Sequence, residues 1–202
     1  MSSSLTPNTC VYLTKNEERC KRKALATNDY CSQHDILLTK IHSLEQHSED
    51  FLYKFPTEII HNLFLGSEAK VCDTKWLRKY NIKTVVNATD DLMCTYGKSI
   101  KFYMWNLEDR PTENIIPYLE KTAKIIDKSL SNNEGILVHC HMGISRSASL
   151  VWYYLATRKY KGDLTASLKF LESKRWIVNP NSGFKKQIFR EIKKYKSIKI
   201  KN

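Results

Sequence analysis

The chain has 202 residues, of which 42% are hydrophobic and 27% are charged, and its formal net charge is +12. Its length allows one ordinary core with a small appendage, and its composition is typical of globular proteins. No uncharged apolar run approaches the length of about 18 residues that a membrane span needs, and residues 1–9 lack the pattern of a signal peptide. We therefore expect neither membrane insertion nor secretion.

The excess of positive charge is compatible with nucleic acid, an anionic surface or phosphorylated substrates as partners. The lysines are spread along the chain with little aromatic interleaving, and the clearest basic run, Lys185–Lys199, falls on a predicted helix. A solvated helix face is the simpler explanation of that run, because a diffuse positive field acts on any polyanion. Nucleic acid is therefore the less favoured partner, and the sequence predicts no oligomeric state.

A set of metal-type ligands lies in residues 10–34, with nine, ten and two residues between successive members: Cys10, Cys20, Cys31 and His34. Three thiolates and an imidazole are donors that zinc prefers, and a metal would supply the folding energy that this short, polar segment lacks. With Lys21 after the second cysteine and Tyr30 before the third, the segment resembles short Cys-Cys-Cys-His modules of large DNA viruses and some eukaryotic proteins. We expect a structural zinc module here; unliganded cysteines in a flexible arm are the alternative.

The domain boundaries follow from composition and apolar periodicity. Residues 1–9 are predicted to be a disordered N-terminus and residues 35–53 a linker helix, with Leu37, Ile41 and Leu44 near helical spacing. A catalytic domain is expected over residues 54–196, followed by a basic tail over 197–202. Three of the six cysteines share a metal-like spacing, and a fourth, Cys140, lies in a motif described below that needs a free thiol. This use of cysteine favours a reducing, intracellular compartment.

Strand and helix patterns alternate through the catalytic domain. Strands are predicted over 58–66, 82–88, 101–107 and 136–138, and helices over 67–80, 114–130, 148–160 and 164–176, with a last helix after the turn at 179–184. Helical crossovers between strands imply parallel pairing. The prediction is an α/β fold with a central, mostly parallel twisted sheet flanked by helices, plus the small N-terminal metal-stabilised module.

The most informative stretch is Gly135–Ser149, which is predicted to be a buried strand, a tight loop and the start of a helix. Backbone N–H groups of such a loop and of the first helical turn converge on one point, and the helix dipole adds partial positive charge there. A cysteine at that point, Cys140, is held as a thiolate and is a candidate nucleophile. Gly143 lets the backbone curl around an anion, and Arg146 matches two phosphoryl oxygens.

The run from His139 to Ser147, HCHMGISRS, resembles the HCxxGxxRS signature of cysteine-dependent protein phosphatases in their dual-specificity form. The segments LFLGS and PNSGF also match this family, so the resemblance covers about Lys54–Ile192. It implies the dual-specificity phosphatase fold, a hydroxyl at Ser147 that assists thiolate departure, and a loop-orienting His139 that acts through hydrogen bonds. The phosphate-binding positions it implies are His141, Met142, Gly143, Ile144, Ser145 and Arg146.

A general acid is needed to protonate the leaving oxygen. Asp109 stands 31 residues before Cys140, a spacing similar to that of the acid in the family. Glu108 is the neighbour that could take the role instead. Strand alternation would point the two carboxylates in opposite directions, so only one can face the site. We predict Asp109 as the acid, and two surface carboxylates are the alternative.

The resemblance implies hydrolysis of phosphotyrosine, phosphoserine and phosphothreonine through a cysteinyl-phosphate, with phosphorylated proteins as the partners and no cofactor for catalysis. Neutral Met142 and Ile144 favour protein substrates, since lipid-directed relatives often carry lysines in this loop. Two alternatives stay open. One is an RNA 5′-triphosphatase, whose known loop reads HCTHGxNRTG, and the other is a phosphate-dependent binding protein with little turnover.

Overall fold

A computed structural model describes residues 49–91, 96 and 99–200. The strands are β1 (Thr57–Ile60), β2 (Leu63–Gly66), β3 (Ile82–Asn87), β4 (Lys101–Met104) and β5 (Gly135–His139). The α-helices are α1 (Glu49–Lys54), α2 (Thr74–Lys79), α3 (Ile116–Ser131), α4 (Arg146–Arg158), α5 (Leu164–Lys174) and α6 (Ser182–Ile200), and a 3₁₀ turn spans Glu68–Lys70. No helix within these residues is both long and apolar enough to cross a bilayer.

The strands form one sheet in the order β1-β2-β5-β3-β4. Only the β1–β2 pair is antiparallel, and the β2–β5, β5–β3 and β3–β4 pairs are parallel. The predicted α/β fold with a mostly parallel sheet is therefore confirmed. Gly66 and Asn87 both pair with His139, so the carboxyl ends of three neighbouring strands lie at one edge, where α/β proteins place their ligands.

The core lies on both faces of the sheet. On one face, helices α3 and α4 pack against the central strands, and α6 packs against these two helices. On the other, Phe64, Trp76 and Tyr80 form an aromatic group with ring centroids 4.8–5.5 Å apart. Every residue of β5 is buried, as the apolar run predicted. Trp152 and Leu155 of α4 are buried in the core, so this helix packs internally.

Three predicted elements differ from the structure. The strand predicted over 58–66 is a hairpin, because Asn62 adopts a left-handed φ of 66° and turns the chain between β1 and β2. The helix predicted over 67–80 is broken, because Asp73 caps a new helix by accepting the N–H groups of Lys75 and Trp76.

The strand predicted over 101–107 ends at Met104. Asn106 has a φ of 46°, so the chain leaves the sheet before it reaches the two carboxylates. Strand alternation therefore does not set the directions of Glu108 and Asp109, and that prediction was wrong, since both lie in a loop.

The predicted zinc ligands lie outside the described residues, as does most of the predicted linker helix. The described part of that helix is α1, Glu49–Lys54. The N-terminal module and the domain boundaries stay predictions.

Candidate active site

The loop between β5 and α4 forms the candidate site. Gly143 has a φ of +69°, and a Cβ at this position would lie 2.6 Å from the carbonyl carbon of Gly66. Only glycine fits both the left-handed backbone and this close approach. Helix α4 then starts at Arg146 after Ser145, whose side chain makes no capping hydrogen bond to the helix. The first N–H groups of α4 therefore stay open toward the loop.

Five successive carbonyl groups of this loop, those of residues 141 to 145, each accept a hydrogen bond. The donors to the carbonyls of residues 141 to 145, in order, are Glu68 N, Arg175 Nη2, Arg175 Nε, Asn179 N and Ser149 N, at 2.8–3.3 Å. Among the described residues, the backbone N–H groups of His141, Met142, Ile144, Ser145 and Arg146 have no protein acceptor. A ring of free N–H groups on the inner side of a loop is a site for a tetrahedral oxyanion.

Cys140 lies at the base of this ring and is only 1% exposed. Its Sγ accepts hydrogen bonds from the hydroxyl of Ser147 at 3.1 Å and from the N–H of Gly143 at 3.2 Å. The sulfur is thus positioned to attack an atom held at the centre of the ring.

Arg146 borders the same space. Its guanidinium is held by a hydrogen bond from Nη1 to the carbonyl of Leu107 at 3.2 Å. Its Nε is buried and has no hydrogen-bond acceptor among the described residues. Asp109 Oδ2 lies 3.8 Å away, beyond hydrogen-bond distance. A buried N–H donor without an acceptor is costly unless an incoming anion uses it.

Asp109 reaches the site from the loop after β4. Its Oδ1 accepts hydrogen bonds from the hydroxyl of Ser145 at 2.6 Å and from Asn181 Nδ2 at 2.9 Å. Glu108 is exposed and pairs instead with Arg110, at 2.9 Å. Of the two candidate acids, Asp109 is therefore the one that the structure brings to Ser145 and Arg146 of the loop.

The variable positions of the loop face its rim. The His141 ring lies between two carboxylates, with Nδ1 against Glu68 and Nε2 at 3.2 Å from Asp91. Met142 is 48% exposed, so its side chain forms part of the surface that a substrate meets. Neither side chain contributes a free positive charge to the centre of the site.

His139 is buried beneath the loop. Burial lowers the pKa of His139 to about 4, and a backbone interaction with Cys140 opposes this shift. The ring is therefore neutral at pH 7. The expected role of His139 in orienting the loop stays a prediction.

Arg175, which no sequence pattern marked as a site residue, supports the loop from below. This side chain is completely buried, and besides the carbonyls of Met142 and Gly143 it donates from Nη1 to Thr57 Oγ1 at 3.1 Å. Burial lowers its pKa to about 10, and the charge of Cys140 opposes the shift, so it is cationic at pH 7. Its sequence context, an arginine at a helix end, is shared by many surface arginines.

Comparison with known proteins agrees with this fold. The family model described as "Dual specificity phosphatase, catalytic domain" matches residues 63–194. The chain belongs to this family.

Several relatives share this segment. The chain is 34% identical over 135 residues to a probable rhodanese domain-containing dual specificity protein phosphatase of Dictyostelium discoideum, and 31% identical over 133 residues to a Slingshot protein phosphatase homologue of Xenopus laevis. Each match covers 66% of this chain but only 28% and 19% of the relative. A human tyrosine phosphatase-like serine/threonine/tyrosine-interacting protein superposes with a TM-score of 0.63 at 25% identity, over 73% of this chain and 99% of that one.

Proposed function

We propose that the protein hydrolyses the phosphate esters of tyrosine, serine and threonine residues in proteins through a cysteinyl-phosphate intermediate. One observation carries the proposal: in the loop that begins at the buried Cys140, five N–H groups have no acceptor among the described residues. The ring of these groups fits the three equatorial oxygens of a phosphoryl group, and the thiolate at its base faces phosphorus opposite to the leaving oxygen.

In the first step, the Sγ–P bond forms as the P–O bond to the substrate breaks. The unpartnered Nε of Arg146 and the loop N–H groups stabilise the charge on the equatorial oxygens. Asp109, held beside Arg146 by Ser145, gives its proton to the leaving alkoxide or phenoxide.

In the second step, a water molecule attacks phosphorus and passes a proton to Asp109 while the Sγ–P bond breaks. The departing thiolate keeps the hydrogen bond from Ser147, whose hydroxyl lies 3.1 Å from Sγ. No metal or redox group takes part in these two steps, since every proton and electron pair is exchanged between substrate, water, Cys140 and Asp109.

A substrate panel tests the proposal. Phosphotyrosyl and phosphothreonyl peptides, triphosphorylated RNA and a phosphoinositide are each offered to the wild type and to Cys140→Ser. We expect turnover of both peptides by the wild type alone. Turnover of RNA alone would replace the proposal with an RNA 5′-triphosphatase. Capture of phosphopeptides by both proteins without release of phosphate would instead indicate a binding protein.

We also propose a structural zinc bound by Cys10, Cys20, Cys31 and His34, which lies outside the catalytic steps. The residue types and the closing Cys-x-x-His spacing support it. Elemental analysis of the full chain is expected to find one zinc per molecule, and to find none in Cys20→Ser/Cys31→Ser. Both this module and the Cys140 thiol require a reducing compartment, so we place the protein inside the cell.

A further inference from the structure

Helix α6 carries two different faces. Its inner face is apolar and buried, with Phe184, Ile188 and Ile192 in the core. Its outer face repeats exposed residues at helical spacing, in the order Lys186, Phe189, Arg190, Lys193 and Lys196. Phe189 is 51% exposed, which is unusual for a large apolar side chain on an otherwise basic face. The outer face is therefore more than a solvated lysine stripe.

This outer face forms one wall of a groove of about 750 Å³. The opposite wall is the turn between α4 and α5. We call the whole groove the basic groove and define it by Tyr160, Lys161, Leu164, Phe189, Lys193 and Lys196. Its floor is apolar, because Tyr160 and Leu164 pack against the main core. The groove thus combines an apolar floor with cationic walls.

Local packing holds the cations in place. Gly162 has a φ of +87°, and a Cβ there would lie 2.6 Å from Lys196 Cε. The aliphatic stem of Lys196 therefore lies directly over the glycine backbone. On α6 itself, Lys193 Nζ lies 4.7 Å from the centroid of the Phe189 ring. Charges held by such contacts lose less side-chain entropy when an anion binds.

The positive charge of the basic groove is not balanced within the described part of the chain. There, Lys161, Lys193 and Lys196 form no ion pair with a carboxylate. Asp163 borders the groove, but its Oδ1 accepts the N–H of Ala166 and caps α5. A second depression, of about 410 Å³, continues past Phe189 and adds Lys185, Lys186 and Arg190.

We propose that the basic groove binds an acidic segment of the phosphoprotein substrate, with an apolar side chain of that segment on the groove floor. Charge complementarity requires carboxylates in the partner. The apolar floor requires an apolar side chain between those carboxylates. A single-stranded nucleic acid would need several exposed rings for stacking, whereas Phe189 is the one strongly exposed ring among the described groove residues. The choice of a phosphoprotein rests on the proposed function.

The position of the basic groove sets the spacing of such a motif. Asn181, which contacts Asp109, precedes Phe189 by eight residues and Lys196 by 15. At about 1.5 Å per helical residue, these positions lie about 12 and 22 Å along α6. An extended peptide, at about 3.3 Å per residue, covers these two distances with about four and seven residues. We therefore expect the acidic motif at least that far from the phosphorylated residue.

Binding is measured with the full chain carrying Cys140→Ser and a fluorescein-labelled, unphosphorylated peptide of Glu and Leu residues. Its counterpart has every Glu replaced by Gln. We expect the Glu peptide to bind and the Gln peptide to bind much more weakly, with affinity falling as salt rises. Lys193→Glu/Lys196→Glu should weaken binding about tenfold, and Phe189→Ser should weaken it as well. The matched control is Lys124→Glu/Lys128→Glu on α3, where both lysines are exposed.

Turnover provides the second readout. Two phosphotyrosyl peptides differ only in a Glu-rich or Gln-rich segment six residues from the phosphotyrosine. The groove variants should raise KM for the Glu-rich peptide alone and leave hydrolysis of p-nitrophenyl phosphate unchanged. Equal losses in the α3 control would indicate a diffuse field and overturn the proposal, as would tighter binding of oligouridylate than of the Glu peptide. Failure of the wild type to hydrolyse any phosphate ester would contradict the proposed phosphatase activity. The binding assay would still test whether the basic groove binds an acidic peptide.

Discussion

The hydroxyl of Ser145 donates a 2.6 Å hydrogen bond to Oδ1 of Asp109, so the residue that precedes α4 also holds the candidate acid. The same hydroxyl accepts the N–H of Asn181 at 3.1 Å, and Asn181 Nδ2 donates to the same carboxylate oxygen. The acid is thereby tied to the phosphate loop and to the turn before α6. Its position depends on residues far apart in the sequence.

Replacing Asp109 should remove general acid catalysis. We expect Asp109→Asn to lower kcat for a phosphotyrosyl peptide by about 10²- to 10⁴-fold. The loss should be much smaller for 2,4-dinitrophenyl phosphate, whose leaving group needs no proton. Steady-state kinetics with both substrates checks this. Glu108→Gln is the control, because Glu108 pairs with Arg110 outside the site, and a larger loss in this variant would reassign the acid.

Ser147 should act on the second step. Its hydroxyl donates to Cys140 Sγ, and a hydrogen bond to a charged group contributes about 1.5–3 kcal/mol. Ser147→Ala should therefore slow breakdown of the cysteinyl-phosphate by about tenfold to 100-fold. Rapid-mixing kinetics should show a burst of the leaving group followed by a slow steady state. A variant without a burst, with kcat and kcat/KM lowered equally, would place the effect in the first step instead.

Arg175 should determine both stability and affinity for phosphate. Arg175→Met leaves the buried carbonyls of Met142 and Gly143 without donors. Because each unsatisfied buried group costs about 1–3 kcal/mol, we expect the free energy of unfolding to fall by about 2–6 kcal/mol. Arg175→Lys keeps the charge but cannot reach all of these acceptors, so inhibition by inorganic phosphate should weaken in the folded fraction.

Arg158→Met serves as the control for Arg175. Arg158 pairs with Glu120 and Asp127 between α3 and α4, away from the phosphate loop. Its loss should also destabilise the protein, but inhibition by phosphate should not change. Equal weakening of phosphate inhibition in both variants would mean that Arg175 acts only through general stability.

His139 should make stability depend on pH. Its pKa is about 4 in the folded protein against an ordinary value of 6.5, so between these values the unfolded chain binds a proton that the native state does not. Stability should fall as the pH drops from about 6.5 to about 4, with a contribution from this residue of about 3 kcal/mol.

Urea unfolding at several pH values measures this contribution as the difference between the wild type and His139→Gln. The variant should lose less stability over the same pH range, because it lacks the titrating ring. Parallel stability curves for the two proteins would show that His139 is not the group responsible.

The sequence predicted the features that depend on local patterns. The buried strand β5 follows from a continuous apolar run, and Gly143 follows from a loop that must close around an anion. The hairpin at Asn62 was missed because asparagine adopts a left-handed conformation without the warning that glycine or proline gives. The break at Asp73 depends on a cap that competes with helical periodicity.

Contacts between distant segments could not be predicted in this way. Arg175 and Asn181 join the phosphate loop only because α5 and the following turn fold back onto it. Neither position carries a periodic signal that separates it from a surface residue. The basic groove likewise requires the turn at 160–165 to face α6, whereas the sequence alone favoured a solvated helix.

The central claim is that Cys140 becomes covalently phosphorylated during turnover. Ser147→Ala is mixed with a ³²P-labelled phosphotyrosyl peptide, quenched with acid within milliseconds and digested for mass spectrometry. Our account predicts label on the peptide that contains Cys140, at a stoichiometry approaching one, and none in Cys140→Ser. Label on another residue, or phosphate release by Cys140→Ser at the wild-type rate, would contradict it.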